Sequence, residues 1–185
     1  MHSWNSDLSI KAWNFASHAH QGQCVPGTDI PYINHIGNVV MEAMGAIAQG
    51  LAHHQAIQDP DLLIQCALLH DVIEDTNTSF DDLKAVFGVE VANGVLALSK
   101  DSNLPTKAEK MQDSLVRIQG QPPEVWMVKL ADRITNLQPP PQHWNSDKID
   151  RYREESILIL QSLGSANDYL AARLQSKITA YQSYI

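Results

Sequence analysis

Four ionisable side chains crowd into Leu68-Leu69-His70-Asp71-Val72-Ile73-Glu74-Asp75, inside a stretch that otherwise reads as a buried apolar helix. Buried charge is costly unless something compensates it. At about 100° per residue, a helix would stack His70 with Glu74 and Asp71 with Asp75, gathering all four on roughly 140° of one face. Such a face suits a cation and a reacting water. His70 and Asp71 are adjacent and diverge by about 100°, so they can grip one ion only if other elements supply further ligands. Two candidates stand out: His35, after Pro31-Tyr32-Ile33-Asn34 at the start of a helix, and Asp132, within the otherwise apolar Val128 to Leu137 segment. A set of two imidazoles and two carboxylates suits Mn²⁺, Fe²⁺ or Zn²⁺ better than Ca²⁺ or Mg²⁺, which prefer oxygen donors.

Each residue also has a plainer reading. A His-Asp pair on a helix is commonly a surface or capping pair, and His35 would serve as a hydrogen-bonded core histidine. Asp132 beside Arg133, with Lys129 one turn earlier, makes an ordinary ion-pair patch. Glu74 and Asp75 would simply solvate a helix end near Thr76 and Asn77. What favours chemistry is that three separated acidic or imidazole positions all interrupt apolar helical sequence.

The elements that must position these residues are helical almost throughout. Asp7 is expected to cap a helix ending near Gly22, and a second helix runs from about Tyr32 to Gly50, with Cys24 to Pro31 as the loop between. Asp59-Pro60 gives an N-cap followed by proline at the first helical position, opening the helix that carries the acidic cluster. Thr78-Ser79-Phe80-Asp81 resembles a capping box for a short helix ending at Gly88, and an apolar helix covers about Val89 to Ser99. Lys100 to Pro105 is a polar loop, and a charged helix spans about Thr106 to Ile118. Gly120-Gln121-Pro122-Pro123 breaks it before the helix that holds Asp132. Pro139-Pro140-Pro141 ends that helix, because three successive positions lack a donor N–H. Two final helices, about Ser146 to Leu163 and Ala166 to Tyr184, complete an all-α domain.

A chain of 185 residues with 44% apolar residues can bury one core, and the few residues after the triple proline cannot bury another. The expectation is a single domain over 1–185, with the C-terminal helices, 146–185, docked on the rest. A net charge of −8 argues against a nucleic-acid or anionic-membrane surface, while leaving room for a small phosphorylated ligand. No apolar run is long enough to span a bilayer and no secretory signal is visible, which makes the cytoplasm the expected compartment. Cys24 and Cys66 sit in no CxxC spacing and read as reduced and non-catalytic.

The composite of His35, His70-Asp71 and Asp132 resembles the H…HD…D signature of the HD-domain metal-dependent phosphohydrolases. More narrowly, Pro31-Tyr32-Ile33-Asn34-His35, Ala67 to Thr76, Phe87-Gly88, and Lys129-Leu130-Ala131-Asp132-Arg133 with Asn136 look like the hydrolase domain of the RelA/SpoT-type alarmone enzymes. The chain most resembles their small stand-alone, Mesh-type members, with the likeness running over residues 15–152. The resemblance implies an HD-domain helical bundle in which His35, His70, Asp71 and Asp132 bind one metal, typically Mn²⁺. It makes Glu74 and Asp75 the catalytic pair, with a divalent ion activating water and either carboxylate able to take its proton.

The reaction implied is hydrolysis of the 3′-diphosphate of guanosine 3′,5′-polyphosphates, releasing pyrophosphate. So negative a ligand needs cations, for which Lys100, Lys107, Lys110, Lys129 and Arg133 are candidates. Lys107 lies near the family's Leu-Pro-Lys element, displaced by one position. Asn136 corresponds to a nucleotide-contacting residue, Tyr32 belongs to the Pro-Tyr-x-x-His element, and Tyr152, eight residues after Trp144, resembles a substrate-contacting tyrosine. One departure concerns the base. Where the family carries Arg or Lys before Pro-Tyr-x-x-His, stacked on the purine, Gln23 to Ile30 has no basic residue. Losing such a cation would cost about 1–2 kcal/mol and shift preference between nucleotides. Adenosine polyphosphates, the 2′-phosphate of NADPH and a broader HD-class nucleotide hydrolysis are therefore alternatives. Two readings from other classes are a nucleotide-sensing module that binds without cleaving, and a structural domain whose buried polar cluster centres on Arg133.

Overall fold

The computed structural model describes residues 4–52 and 56–185. Its described residues form ten α-helices and two short 3₁₀ turns, with no strand beyond a single isolated bridge. The helices are α1 (Ser6–Ala19), α2 (Ile33–Ala52), α3 (Pro60–Leu69), α4 (Val72–Asp75), α5 (Phe80–Phe87), α6 (Val89–Leu98), α7 (Lys107–Gln119), α8 (Pro123–Asn136), α9 (Ser146–Leu163) and α10 (Asp168–Tyr181).

α3 is the axis of the bundle. Asp59 caps it by accepting from the Leu62 N–H, Pro60 occupies the first turn, and Leu62 to Leu69 are buried on every side. A helix apolar all round must be surrounded, and α1, α2, α6 and α8 surround it. α8 in turn carries α9 and α10 on its outer side. None of the described helices is long and apolar enough to cross a membrane.

Several boundaries differ from those expected. Asn5, rather than Asp7, caps α1, because its side chain accepts from the Asp7 N–H. The capping box of α5 pairs Ser79 with Asp82, one residue later than the Thr78–Asp81 pairing, and that of α7 pairs Thr106 with Glu109. The last helix starts at Asp168 because Asn167 caps it and Gly164–Ala166 form a 3₁₀ turn.

The correction that matters most is at His70. The acidic cluster does not lie on one continuous helix: α3 stops at Leu69, Asp71 sits at φ −105°, ψ −2°, and α4 is a single turn closed by the Asp75 N–H on the Asp71 carbonyl at 2.9 Å. This bend leaves the Asp71 carboxylate beside the His70 ring instead of diverging from it by the roughly 100° of successive helical residues.

The loop between α1 and α2 folds back on itself. Tyr32 N–H donates to the Gln23 carbonyl at 2.9 Å, and Val25 N–H donates to the Ile30 carbonyl at 2.8 Å. At its tip Pro26-Gly27 makes a tight turn closed by Thr28 N–H on the Val25 carbonyl at 3.0 Å, with Gly27 at φ +80°. Proline then glycine is what a type II turn demands, since only the second central position needs the left-handed region.

Candidate active site

Three packed helix ends converge on one cleft. α2 delivers His35 from its first turn, α3 delivers His70 just past its last residue, and α8 delivers Asp132 from its buried face. The cleft holds about 130 Å³ and is lined by Tyr32, His35, His70, Asp71, Glu74, Asp75, Leu98, Lys100, Lys129, Asp132 and Asn136.

At its floor, one side-chain nitrogen or oxygen of each of His35, His70 and Asp71 falls within 4.8 Å of the others. His70 Nε2 is 2.9 Å from Asp71 Oδ2, and His35 Nε2 is 3.7 Å from the same oxygen. Asp132 Oδ1 closes the far side, 3.5 Å from His35 Nε2 and 3.9 Å from His70 Nε2.

The protonation of His70 makes this floor a fit for a cation. Its Nδ1 lies 2.8 Å from the Ala67 carbonyl, an oxygen that can only accept, so Nδ1 carries the hydrogen. Nε2 is then a bare lone pair in the neutral ring. It is buried, makes no well-aligned hydrogen bond, and faces two carboxylates. Lone pairs gathered in this way repel unless a proton or a metal ion lies among them. Burial alone would depress the imidazole pKa, but Asp71, Asp132 and the Ala67 carbonyl outweigh it and hold His70 at about 9. The site thus demands positive charge, and two imidazoles with two carboxylates are a donor set that a transition-metal dication accepts.

The carboxylates are held in turn. Burial opposes ionisation of Asp132, yet Lys129 Nζ at 3.0 Å and the two imidazoles keep it well below the ordinary range. Asn136 Nδ2 donates to Asp132 Oδ1 at 2.5 Å. Burial likewise opposes ionisation of Asp71, and His70 overcomes it, helped by the Tyr32 hydroxyl donating at 2.6 Å.

Glu74 and Asp75 stand at the mouth. Glu74 accepts twice from Lys100, from its backbone N–H at 2.9 Å and from its ammonium at 2.8 Å. Asp75 lies 3.4 Å from the Tyr32 hydroxyl, and burial together with the charges of Asp71 and Glu74 raises its pKa. A carboxyl so placed gives up its proton less readily than an ordinary aspartate.

Of the expected substrate contacts, Tyr32, Lys129 and Asn136 line the cleft, whereas Lys107, Arg133 and Tyr152 do not. Lys107 is solvent-exposed at the first position of α7. Arg133 lies buried on the other side of α8, 4.3 Å over the Tyr152 ring and 3.5 Å from Glu155. The polar cluster at the cleft is therefore separate from the Arg133 network, contrary to the reading that centred one on the other.

Two residues not singled out from the sequence join the site. Gln23 Nε2 donates to the Asp75 carbonyl at 2.6 Å, and its Oε1 accepts from His20 Nδ1 at 2.7 Å. His20 is buried with its ring 4.9 Å from that of Tyr32. Together they tie the α1–α2 loop to the turn that bears Glu74 and Asp75. The signal available was a histidine and a glutamine three apart at a helix end, too common a pattern to stand out.

Comparison with known proteins agrees with this geometry. A family model described as an HD domain matches residues 12–170. MESH1 of Danio rerio, a guanosine-3′,5′-bis(diphosphate) 3′-pyrophosphohydrolase, is 32% identical over 181 residues, covering 95% of this chain and 94% of its own. The Homo sapiens protein of the same name is 31% identical over 172 residues, covering 90% of each. A solved structure, described as a metazoan ortholog of SpoT that hydrolyses ppGpp and plays a role in starvation responses, superposes with a TM-score of 0.77 at 26% identity over 99% of both chains. Matches at this identity and coverage, with the H…HD…D residues gathered at one cleft, show that the chain belongs to the HD-domain family, in the branch of the MESH1 proteins.

Proposed function

We propose that residues 1–185 act as one HD-domain enzyme that hydrolyses guanosine 3′,5′-bis(diphosphate) to release pyrophosphate. The observation that carries this is the bare, buried His70 Nε2 facing Asp71 and Asp132, with Glu74 and Asp75 one turn away, in a chain colinear with MESH1 proteins that carry this activity in their names. His35, His70, Asp71 and Asp132 would hold one divalent ion, with Mn²⁺ first and Fe²⁺ or Zn²⁺ as substitutes. Such an ion supplies a water of lowered pKa and polarises a phosphoryl oxygen.

The chain's own residues divide the remaining work. Glu74, paired with Lys100, is the anionic carboxylate that orients the attacking water and accepts its proton. Asp75, whose pKa is raised, carries a proton toward the leaving 3′ oxygen. The water oxygen bonds to phosphorus, the bond from phosphorus to the 3′ oxygen breaks, and one proton passes from the water side to the leaving side. Tyr32 holds Asp71 and reaches Asp75, linking the two carboxyls. Asn136 and Lys129 fix Asp132, and Asn136 also faces the nucleotide. Lys107 and Tyr152 are left as outer contacts for the 5′-phosphates or base, with Arg133 backing the Tyr152 ring rather than facing the ligand. A cytoplasmic location is part of the same reading.

The turn Val25-Pro26-Gly27-Thr28 offers only apolar and neutral groups, which keeps adenosine polyphosphates and NADPH as second substrates to compare. Incubating the Mn²⁺-loaded protein with guanosine and adenosine 3′-polyphosphates and NADPH, and identifying products, tests the proposal. Pyrophosphate from the guanosine substrate is the expected result. Tight nucleotide binding with no turnover of any of them would instead indicate a sensor.

A further inference from the structure

The cleft is short of positive charge for the ligand proposed for it. Its lining carries four carboxylates, Asp71, Glu74, Asp75 and Asp132, against two ammonium groups, Lys100 and Lys129. A divalent ion brings this to neutrality, and a proton on Asp75 adds a single positive charge, too little for a diphosphate. Lys129 cannot turn toward substrate: it is 6% exposed and its ammonium is spent on Asp132 at 3.0 Å. Lys100 is placed differently. Its side chain is 40% exposed, and its ammonium contacts only Glu74 among the described residues.

Glu74 does not need that ammonium to stay in place, because the Lys100 backbone N–H holds its other oxygen at 2.9 Å. The backbone there is itself fixed. Arg117 donates to the carbonyls of Leu96, Ala97 and Ser99, and the Ser99 hydroxyl donates to the Val95 carbonyl at 2.8 Å. One residue therefore offers a rigid N–H and a free-swinging charge to the same carboxylate.

We infer that Lys100 is the phosphate-docking cation of this cleft: its ammonium pairs with Glu74 in the free protein and transfers to an oxygen of the substrate's 3′-diphosphate, while its N–H keeps Glu74 aimed at the water. This deepens, and rests on, the phosphohydrolase reading above. The exchange gives Lys100 a charge-assisted bond in both states and removes a counter-ion from Glu74 when substrate arrives.

Two measurements separate this role from mere positioning of Glu74. Steady-state kinetics of Lys100→Ala and Lys100→Arg on guanosine 3′,5′-bis(diphosphate) should show KM raised roughly 10-fold or more in the alanine variant, with kcat within about 3-fold, and most of the loss restored by arginine. Titration of inorganic pyrophosphate into the metal-loaded protein should weaken by a similar factor in Lys100→Ala. A drop in kcat at unchanged KM, or equal pyrophosphate affinity in both proteins, overturns the inference. The pyrophosphate titration reads Lys100 even if the guanosine substrate proves wrong, so the two failures are distinguishable.

Discussion

The floor of the cleft and its rim are built by different means. His35, His70 and Asp132 hang from α2, α3 and α8, three helices whose apolar faces bury one another, and each floor side chain that is charged or tautomer-fixed has a protein partner of its own. Glu74, Asp75 and Lys100 sit on a one-turn helix and a loop, joined by hydrogen bonds from Gln23, Tyr32 and the Lys100 backbone. Helix packing fixes positions to a fraction of an ångström, while hydrogen-bonded loops can exchange partners at small cost. The floor is thus suited to hold an ion that stays, and the rim to meet a substrate that comes and goes.

The largest effects should divide along that line. His70→Ala removes the lone pair around which the floor is arranged, so bound metal should be lost and activity should fall to background. Glu74→Ala should keep the metal and lose activity by a factor of about 10² or more, the scale of acid–base assistance. Metal analysis of both purified variants beside their turnover makes the check. Retention of metal by His70→Ala, or its loss from Glu74→Ala, would erase the distinction between floor and rim.

The same division explains what the sequence disclosed. His35, His70, Asp71 and Asp132 were legible because each interrupts apolar helical sequence, and a polar group that survives at a buried position has a reason to be there. The fold was legible for a related cause: Asp59-Pro60, Gly88 and the triple proline punctuate helices that the apolar pattern already marks. The break at His70-Asp71 was not visible, since nothing in Leu-Leu-His-Asp-Val-Ile disfavours helix and the bend is settled by tertiary contacts around the two side chains. Gln23 and His20 were hidden because their importance comes from a hydrogen bond to a backbone carbonyl 52 residues away. The position of Arg133, facing Tyr152 rather than the cleft, depended on the rotation of α8, which adjacency to Asp132 does not determine.

An intermediate effect is expected at Gln23. Gln23→Ala deletes the bond to the Asp75 carbonyl and the support of His20, leaving the turn that bears Glu74 and Asp75 held by Tyr32 and Lys100. The loss should appear in kcat, roughly 5- to 10-fold for one well-placed hydrogen bond, with metal content unchanged. If metal binding fell instead, the loop would have to be counted as part of the floor.

The smallest effect is a pH dependence that only the metal-free protein should show. His70 in the fold is held at about 9 by Asp71, Asp132 and the Ala67 carbonyl, against 6.5 for an ordinary imidazole. A folded pKa raised in this way contributes stability that is fully present below 6.5 and is lost as pH rises through about 9. Thermal unfolding of chelator-treated protein should therefore show a falling Tm across that window. With an ion in place of the proton the fall should vanish, and metal affinity should itself rise with pH over the same range as the proton is displaced. Asp75, on the rim, acts in the opposite sense, since its raised pKa makes ionisation of that carboxyl cost stability as pH climbs through it. A Tm that stays flat from 6.5 to about 9 in the metal-free protein would mean that no proton stands in for the ion at His70, and that the floor tolerates its facing lone pairs by relaxing apart.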